Sequence, residues 1–368
     1  MSSRLFTPLE IGRMALSNRI TIAPMCQYSA IDGTMTDWHI MHLGNLALSG
    51  ASMLVIEATG VRADGRISLG CTGLYSDANE EAMKRVVDFV RSISPIRIGV
   101  QLAHAGRKAS AERPWEGRGP LAADRGAWPT IAPSAIPFAA GWHTPRALDR
   151  AGMEEAREAF VAAARRAARI GLDFIEVHST HGYLLSEFLS PLANRREDEY
   201  GGSLENRMRF PLEVMRAVRA AWPADKPLGA KISGTDFAEG GWTPDDAVAY
   251  ASALKSCGLD FVTLSGGGVV ADQKVPTAPG YQVPFAERVK REVGITTGAV
   301  GLINGPQQAE DILASGKADF ISLARGMLFD PRWGWHAAVA LGGEANYPRQ
   351  YERVAPKLWP PAREWKGG

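Results

Sequence analysis

The chain has 368 residues, 45% of them hydrophobic, and a formal net charge of +1. That is the composition of an ordinary globular protein, and its near-neutral charge offers no field for nucleic acid or an anionic membrane surface. No apolar run is long enough to span a bilayer, and Met1-Ser-Ser-Arg-Leu-Phe-Thr-Pro8 lacks the apolar core of a signal peptide, so a cytoplasmic location is expected. The three cysteines, Cys26, Cys71 and Cys257, are widely spread, with neither a disulfide framework nor cluster spacing for zinc or iron–sulfur.

In chain order, short runs rich in Ile, Val and Phe alternate with longer stretches of helical period. Arg19–Pro24 predicts strand one, followed by a helix over Asp37–Leu48; Ser52–Ala58 predicts strand two, followed by a helix over Asn79–Ile93 capped by Asn79. Arg97–Ala103 is strand three, Met153–Arg169 the clearest helix, and Asp173–His178 strand four. A helix near Arg207–Trp222, strand five at Leu228–Ser233 and a helix at Pro244–Ser256 starting on Thr243 follow, with Gly258 as its stop. Asp260–Ser265 is strand six, Pro284–Glu292 its helix, Thr296–Ile303 strand seven, Gln307–Ala314 a helix, Phe320–Ala324 strand eight and Trp333–Leu341 the last helix.

Eight strand–helix units predict an α/β fold, a closed (β/α)8 TIM barrel with parallel strands. The rival doubly wound sheet would carry a glycine-rich turn after strand one, where Pro24-Met-Cys-Gln-Tyr28 stands instead. Ser265-Gly-Gly-Gly268 lacks that fingerprint spacing and reads as a mobile loop. The excursion Gly106–Gly152, rich in Pro, Gly and Trp, is expected to be a lid over the barrel mouth, burying Trp115, Trp128, Phe138 and Trp142. Residues 1–343 are read as one barrel domain and 344–368 as a tail.

Barrel enzymes keep their chemistry at the C-terminal ends of the strands. Cys26 and Tyr28 follow strand one, Glu57-Ala58 ends strand two, Gln101 and His104 end strand three, and His178, His181 and Tyr183 follow strand four. Lys231 lies near the end of strand five, Gly301 ends strand seven and Ala324-Arg325 ends strand eight. Three readings of the histidines stand: satisfied structural residues, metal ligands together with His104, or two donors on one substrate oxygen with Tyr183 as a proton donor. Gly301 and Ala324-Arg325-Gly326 lie on the two strand ends where barrels most often bind phosphate.

These motifs closely resemble the Old Yellow Enzyme family of FMN-dependent ene-reductases. The marks are Asn18-Arg-Ile20, Ala23-Pro-Met-Cys-Gln-Tyr28, Gln101-Leu-Ala-His-Ala-Gly-Arg-Lys108, His178-Ser-Thr-His-Gly-Tyr-Leu184, Asp198-Glu-Tyr-Gly-Gly-Ser-Leu-Glu-Asn-Arg207 and Leu323-Ala-Arg-Gly326. Cys26 and Tyr28 resemble the bacterial thermophilic-like and xenobiotic reductase subclass. The resemblance implies that Ala23, Pro24, Met25, Cys26 and Ala58 line the isoalloxazine of FMN, that Cys26 tunes its redox behaviour, and that Gln101 bonds its pyrimidine. It implies that Gly301, Ala324 and Arg325 take the FMN phosphate, and that His178 and His181 hold the oxygen of an enone or nitro substrate. Tyr183 would protonate the α-carbon and Tyr28 complete the substrate contact, with NADPH or NADH as hydride donor and no bound metal.

Lys231 departs from the family pattern, which has arginine there; it keeps the charge but loses the planar fork. Gln350-Tyr-Glu-Arg353 resembles a segment whose arginine enters a neighbouring subunit's site, so a homodimer or homotetramer is expected. The chain runs on past it through Trp359 and Trp365.

Overall fold

In the computed structural model, which describes residues 3–364, eight parallel strands close into a barrel. They are β1 Ile20–Ile22, β2 Met53–Gly60, β3 Arg97–Ala103, β4 Phe174–Ser179, β5 Leu228–Ser233, β6 Phe261–Ser265, β7 Thr296–Ala299 and β8 Phe320–Leu323. β1 pairs with β2 on one side and with β8 on the other, which removes every sheet edge. Their burial is nearly continuous, as a sheet covered on both faces requires.

The floor of the barrel is built from glycine and phenylalanine in register. Gly99 lies opposite Phe174, Gly229 opposite Phe261 and Gly298 opposite Phe320. A Cβ on each glycine would stand 2.3–2.5 Å from the facing ring. Small residues on β3, β5 and β7 therefore make room for large ones on β4, β6 and β8, whose rings meet edge to face at centroid distances of 6.0 Å. A hairpin of Leu9–Ile11 and Met14–Leu16, too short to be foreseen from its pattern, packs on Phe174, Phe261 and Phe320 and plugs this end.

Among the described residues, eight helices of nine residues or more surround the strands: α1 Asp37–Ala47, α2 Asp77–Ile93, α3 Arg150–Ile170, α4 Leu204–Ala221, α5 Pro244–Ser256, α6 Val283–Val293, α7 Pro306–Ala314 and α8 Trp333–Leu341; shorter ones follow at Leu184–Leu189 and Arg325–Phe329. Thr243 caps α5 through a reciprocal box with Asp246, as its sequence predicts. The cap of α2 is Ser76, whose hydroxyl accepts from the Asn79 N–H, rather than Asn79 itself. β7 ends at Ala299, so Gly301 stands in the following turn at φ +104°, not on the strand.

The excursion after β3 covers the mouth through specific ties. Arg107 donates to the carbonyls of Ile136 and Pro137, and the Trp128 indole donates to the Asp64 carbonyl at 2.9 Å. Phe138 and Trp142 meet edge to face, but Trp115 is 66% exposed, with Tyr28 at its edge, against the expectation that it is buried. The Gly266–Gly268 turn is tied down: Gly267 N–H donates to Thr235 O, and the Gly268 carbonyl accepts from Lys108. The tail is held on α8, where Tyr347 and Tyr351 face Trp335 at 4.8 and 6.1 Å. Trp365 lies outside the described residues.

Candidate active site

Above the floor the barrel interior turns polar. Glu176 on β4 accepts from Gln101 Nε2 at 2.7 Å and from Thr263 Oγ1 at 2.8 Å. Lys231 on β5 lies between β4 and β6, opposite His178 and Thr263. Burial lowers its pKa, and the Glu176 carboxylate opposes that shift. A buried cation beside a shared carboxylate is thus presented toward the mouth.

The end of β4 and the loop after it carry the residues singled out by the sequence. His178, His181 and Tyr183 converge, with ring centroids 5.2 Å apart for the two histidines and 4.8 Å for His178 and Tyr183. The Thr180 N–H donates to His178 Nδ1 at 3.4 Å, a long contact that favours the proton on Nε2. His181 Nε2 meets Ser265 Oγ at 2.8 Å, and Gln282 Nε2 reaches the same hydroxyl at 3.4 Å. Burial, with the charges of Lys231 and Lys108, lowers both imidazole pKa values, His181 to about 3. Burial raises that of the Tyr183 phenol, so all three rings are neutral near pH 7.

Two cations missed as site residues hold this loop in shape. Lys108 Nζ donates to the carbonyls of His181 and Gly268, each at 2.8 Å, and lies over the Tyr183 ring at 5.2 Å. His181 sits at φ +60°, and a Cβ on Gly182 would meet the Gly268 carbonyl at 2.1 Å, so the two loops touch backbone to backbone. Arg107 donates to the Val269 carbonyl at 2.6 Å and binds the excursion to the same place. An Arg-Lys pair directly after a strand and before a long excursion is the signal that marks them.

On the β1 side, Ala23, Pro24, Met25 and Cys26 follow the strand in extended, irregular chain. Burial and the Glu57 charge push the Cys26 thiol pKa well up. Tyr28 follows at φ +52°, its phenol pKa also raised by burial. A Cβ on Gly70 would meet the Tyr28 carbonyl at 2.2 Å, so this turn needs glycine beside it.

A cavity of ≈ 310 Å³ reaches from Ala23, Pro24, His181 and Lys231 to Gly301, Ala324 and Arg325; His178, Tyr183, Cys26 and Tyr28 are not among its lining residues. At its outer end the N–H groups of Gly301, Leu302 and Arg325 donate to no protein oxygen among the described residues. Arg325 is exposed there. Two sequence candidates lie elsewhere. His104 turns away from the other histidines, with Nε2 3.8 Å from Asp64 and Nδ1 accepting from Gly106, so the three do not form a ligand set. Arg353 is exposed on the tail and does not line this cavity in its own chain.

Residues 4–341 match the NADH:flavin oxidoreductase / NADH oxidase family. The chain belongs to this family. It is 44% identical over 355 residues to an NADPH dehydrogenase of Geobacillus sp. strain WCH70, covering 96% of this chain and 99% of that one. Morphinone reductase superposes with a TM-score of 0.77 at 28% identity, over 95% of this chain and 92% of the other. A structure of it in complex with tetrahydroNAD gives 0.75. A 2-naphthoyl-CoA reductase, at 24% identity and a TM-score of 0.83, shares the fold over 92% of this chain and 52% of its own.

The protein is therefore an FMN-dependent oxidoreductase of the Old Yellow Enzyme type that uses a nicotinamide hydride donor. Its donor set suits FMN. Free backbone amides with Arg325 at one end of the cavity match a phosphate monoester. The buried Lys231 cation at the inner end matches a ring that becomes anionic on reduction.

Proposed function

We propose that this oxidoreductase reduces the activated C=C bond of α,β-unsaturated carbonyl or nitro compounds. The observation that carries this reading is the convergence of three neutral rings, His178, His181 and Tyr183, of which His181 lines the cavity that suits FMN. When bound, FMN would supply the hydride chemistry that links NAD(P)H to the substrate's β-carbon.

In this reading His178 donates its Nε2–H to the substrate oxygen, and His181 is the second donor. Two neutral donors polarise the bond without surrendering a proton to the oxygen at rest, because their depressed basicity disfavours imidazolium. Tyr183 keeps its proton until the α-carbon gains electron density, and then donates it. Tyr28 completes the substrate contact, and Lys108 fixes the backbone of the loop that carries His181 and Tyr183. Ala23, Pro24, Met25, Cys26, Ala58 and Gln101 are the residues we assign to the isoalloxazine, with Lys231 at its N1 and O2 edge and Gly301, Ala324 and Arg325 at the phosphate. Residues 1–343 form the catalytic barrel in this account. The exposed Arg353 is available to a second copy in a dimer or tetramer.

Colour tests the proposal. The purified protein is expected to be yellow, to bleach anaerobically with NADPH and to recover its colour with cyclohexenone. Bleached protein that cyclohexenone and nitroalkenes cannot reoxidise contradicts it.

A further inference from the structure

The hydroxyl of Ser265, at the end of β6, is buried and meets two side chains, neither of which the mechanism has used. Its Oγ lies 2.8 Å from His181 Nε2 and 3.4 Å from Nε2 of the buried Gln282. An amide NH2 only donates, so Ser265 Oγ accepts from Gln282. The hydroxyl has one hydrogen of its own, and among the described residues His181 Nε2 is the acceptor within its reach. Ser265 therefore donates to Nε2, and the proton of the neutral His181 ring stands on Nδ1.

His178 is arranged the other way round. Its Nδ1 accepts the Thr180 N–H at 3.4 Å, which leaves its proton on Nε2. The two remaining nitrogens, His178 Nε2 and His181 Nδ1, have no protein partner among the described residues. Neither is sealed from solvent, as the orphaned Nε2 atoms of His39 and His104 are. Two N–H donors are thus left open on rings whose centroids lie 5.2 Å apart.

A staple for the loop accounts for only part of this. The loop has other anchors: Thr180 Oγ1 meets Ser233 Oγ at 2.7 Å, and Lys108 holds the His181 carbonyl. Those contacts leave the imidazole untouched, whereas Ser265 acts on the ring itself. A lone serine would anchor that ring with either nitrogen protonated. The donor from Gln282 removes the choice, and Gly301 leaves room for its amide, since a Cβ there would stand 3.0 Å from Gln282 Oε1.

We propose that Ser265, oriented by Gln282, is a positioning residue that holds His181 in its Nδ1–H tautomer, so that Nδ1–H is the donor to the substrate oxygen while the Ser265 bond is kept. The proposal rests on the reading of His178 and His181 as the pair that binds that oxygen.

Nuclear magnetic resonance reads the tautomer without substrate. In oxidised, FMN-loaded enzyme labelled with 15N-histidine, multiple-bond 1H–15N spectra assigned with H181N should show a protonated Nδ1 and a bare Nε2 at residue 181. S265A should lose this single tautomer, and S265T, which restores a hydroxyl, should regain it. In stopped-flow titrations of the reduced enzyme, the apparent Kd for cyclohexenone should rise by about 2- to 10-fold in S265A, the scale of one hydrogen bond. That rise should exceed any fall in the limiting rate, because only the competent tautomer binds. A proton on Nε2 in the native enzyme, a tautomer unchanged in S265A or an unchanged Kd overturns the proposal and leaves the ene-reductase reading standing. Reduced wild-type enzyme that no enone reoxidises overturns that reading and the substrate step built on it, while the spectra still decide the tautomer. Should S265A fail to hold FMN, the native spectrum and S265T decide by the same signs.

Discussion

The ammonium of Lys108 donates to the backbone carbonyl of His181 at 2.8 Å. A second bond of the same length to Gly268 makes it a bracket between the histidine loop and the loop after β6. A hydrogen bond to a charged group contributes roughly 1.5–3 kcal/mol. K108M removes both bonds and leaves two carbonyls unmatched at a backbone contact. Its kcat/KM for enones should fall by about 10- to 100-fold on that scale, with FMN content unchanged. Burial lowers the Lys108 pKa to about 8. The bracket therefore weakens as pH rises through 8, and kcat/KM should decline there with a limb that K108M lacks. For stability the sign is opposite: the unfolded chain holds more protons between about pH 8 and the free lysine value, so this group's burial penalty is relieved as pH rises.

His181 supplies an acid limb. Its pKa is about 3 in the fold against about 6.5 when free. The unfolded chain therefore binds the extra proton as pH falls below 6.5, and stability drops progressively toward pH 3. His178 is displaced in the same direction and adds to the effect. Melting temperatures of wild type and H181N between pH 7 and pH 4.5 check this, and the variant should show the shallower decline. Because neither imidazole gains a proton in the fold above pH 5, kcat should show no histidine limb between pH 5 and 8.

The barrel floor carries a separate prediction about stability. In G229A the added methyl would stand 2.4 Å from the Phe261 ring, which already packs on Phe174 and Phe320. Overpacking of this kind costs about 1–3 kcal/mol. Urea unfolding should show that loss, while the folded fraction keeps its turnover, since the floor lies at the opposite end of the barrel from the catalytic rings.

Much of this architecture is legible in the sequence because buried parallel strands read as unbroken apolar runs, whereas the glycine–phenylalanine floor emerges only with the register of neighbouring strands. The histidine loop is legible because three polar aromatic residues within six positions have no place in a core. Other features depend on contacts far apart in the chain. The bulge at Glu57 in β2 shows only in the register with β3, and the Ser265 and Gln282 contacts with His181 arise from barrel closure. Lys108 stands inside a recognised motif, but its partners are backbone carbonyls of residues 181 and 268, which carry no signal in side-chain pattern. The apolar run continues through Val300 and Ile303, past Ala299 where the chain already turns, so pattern alone overextends strand seven.

The central claim is that Tyr183 gives its proton to the carbon skeleton of the substrate, and Y183F in stopped-flow absorbance tests it most directly. Bleaching of the flavin by NADPH should proceed at nearly the wild-type rate. Reoxidation by cyclohexenone should slow by about 10²- to 10⁴-fold, the usual contribution of a positioned general acid. Equal slowing of both half-reactions, or reoxidation at the wild-type rate, would contradict the account.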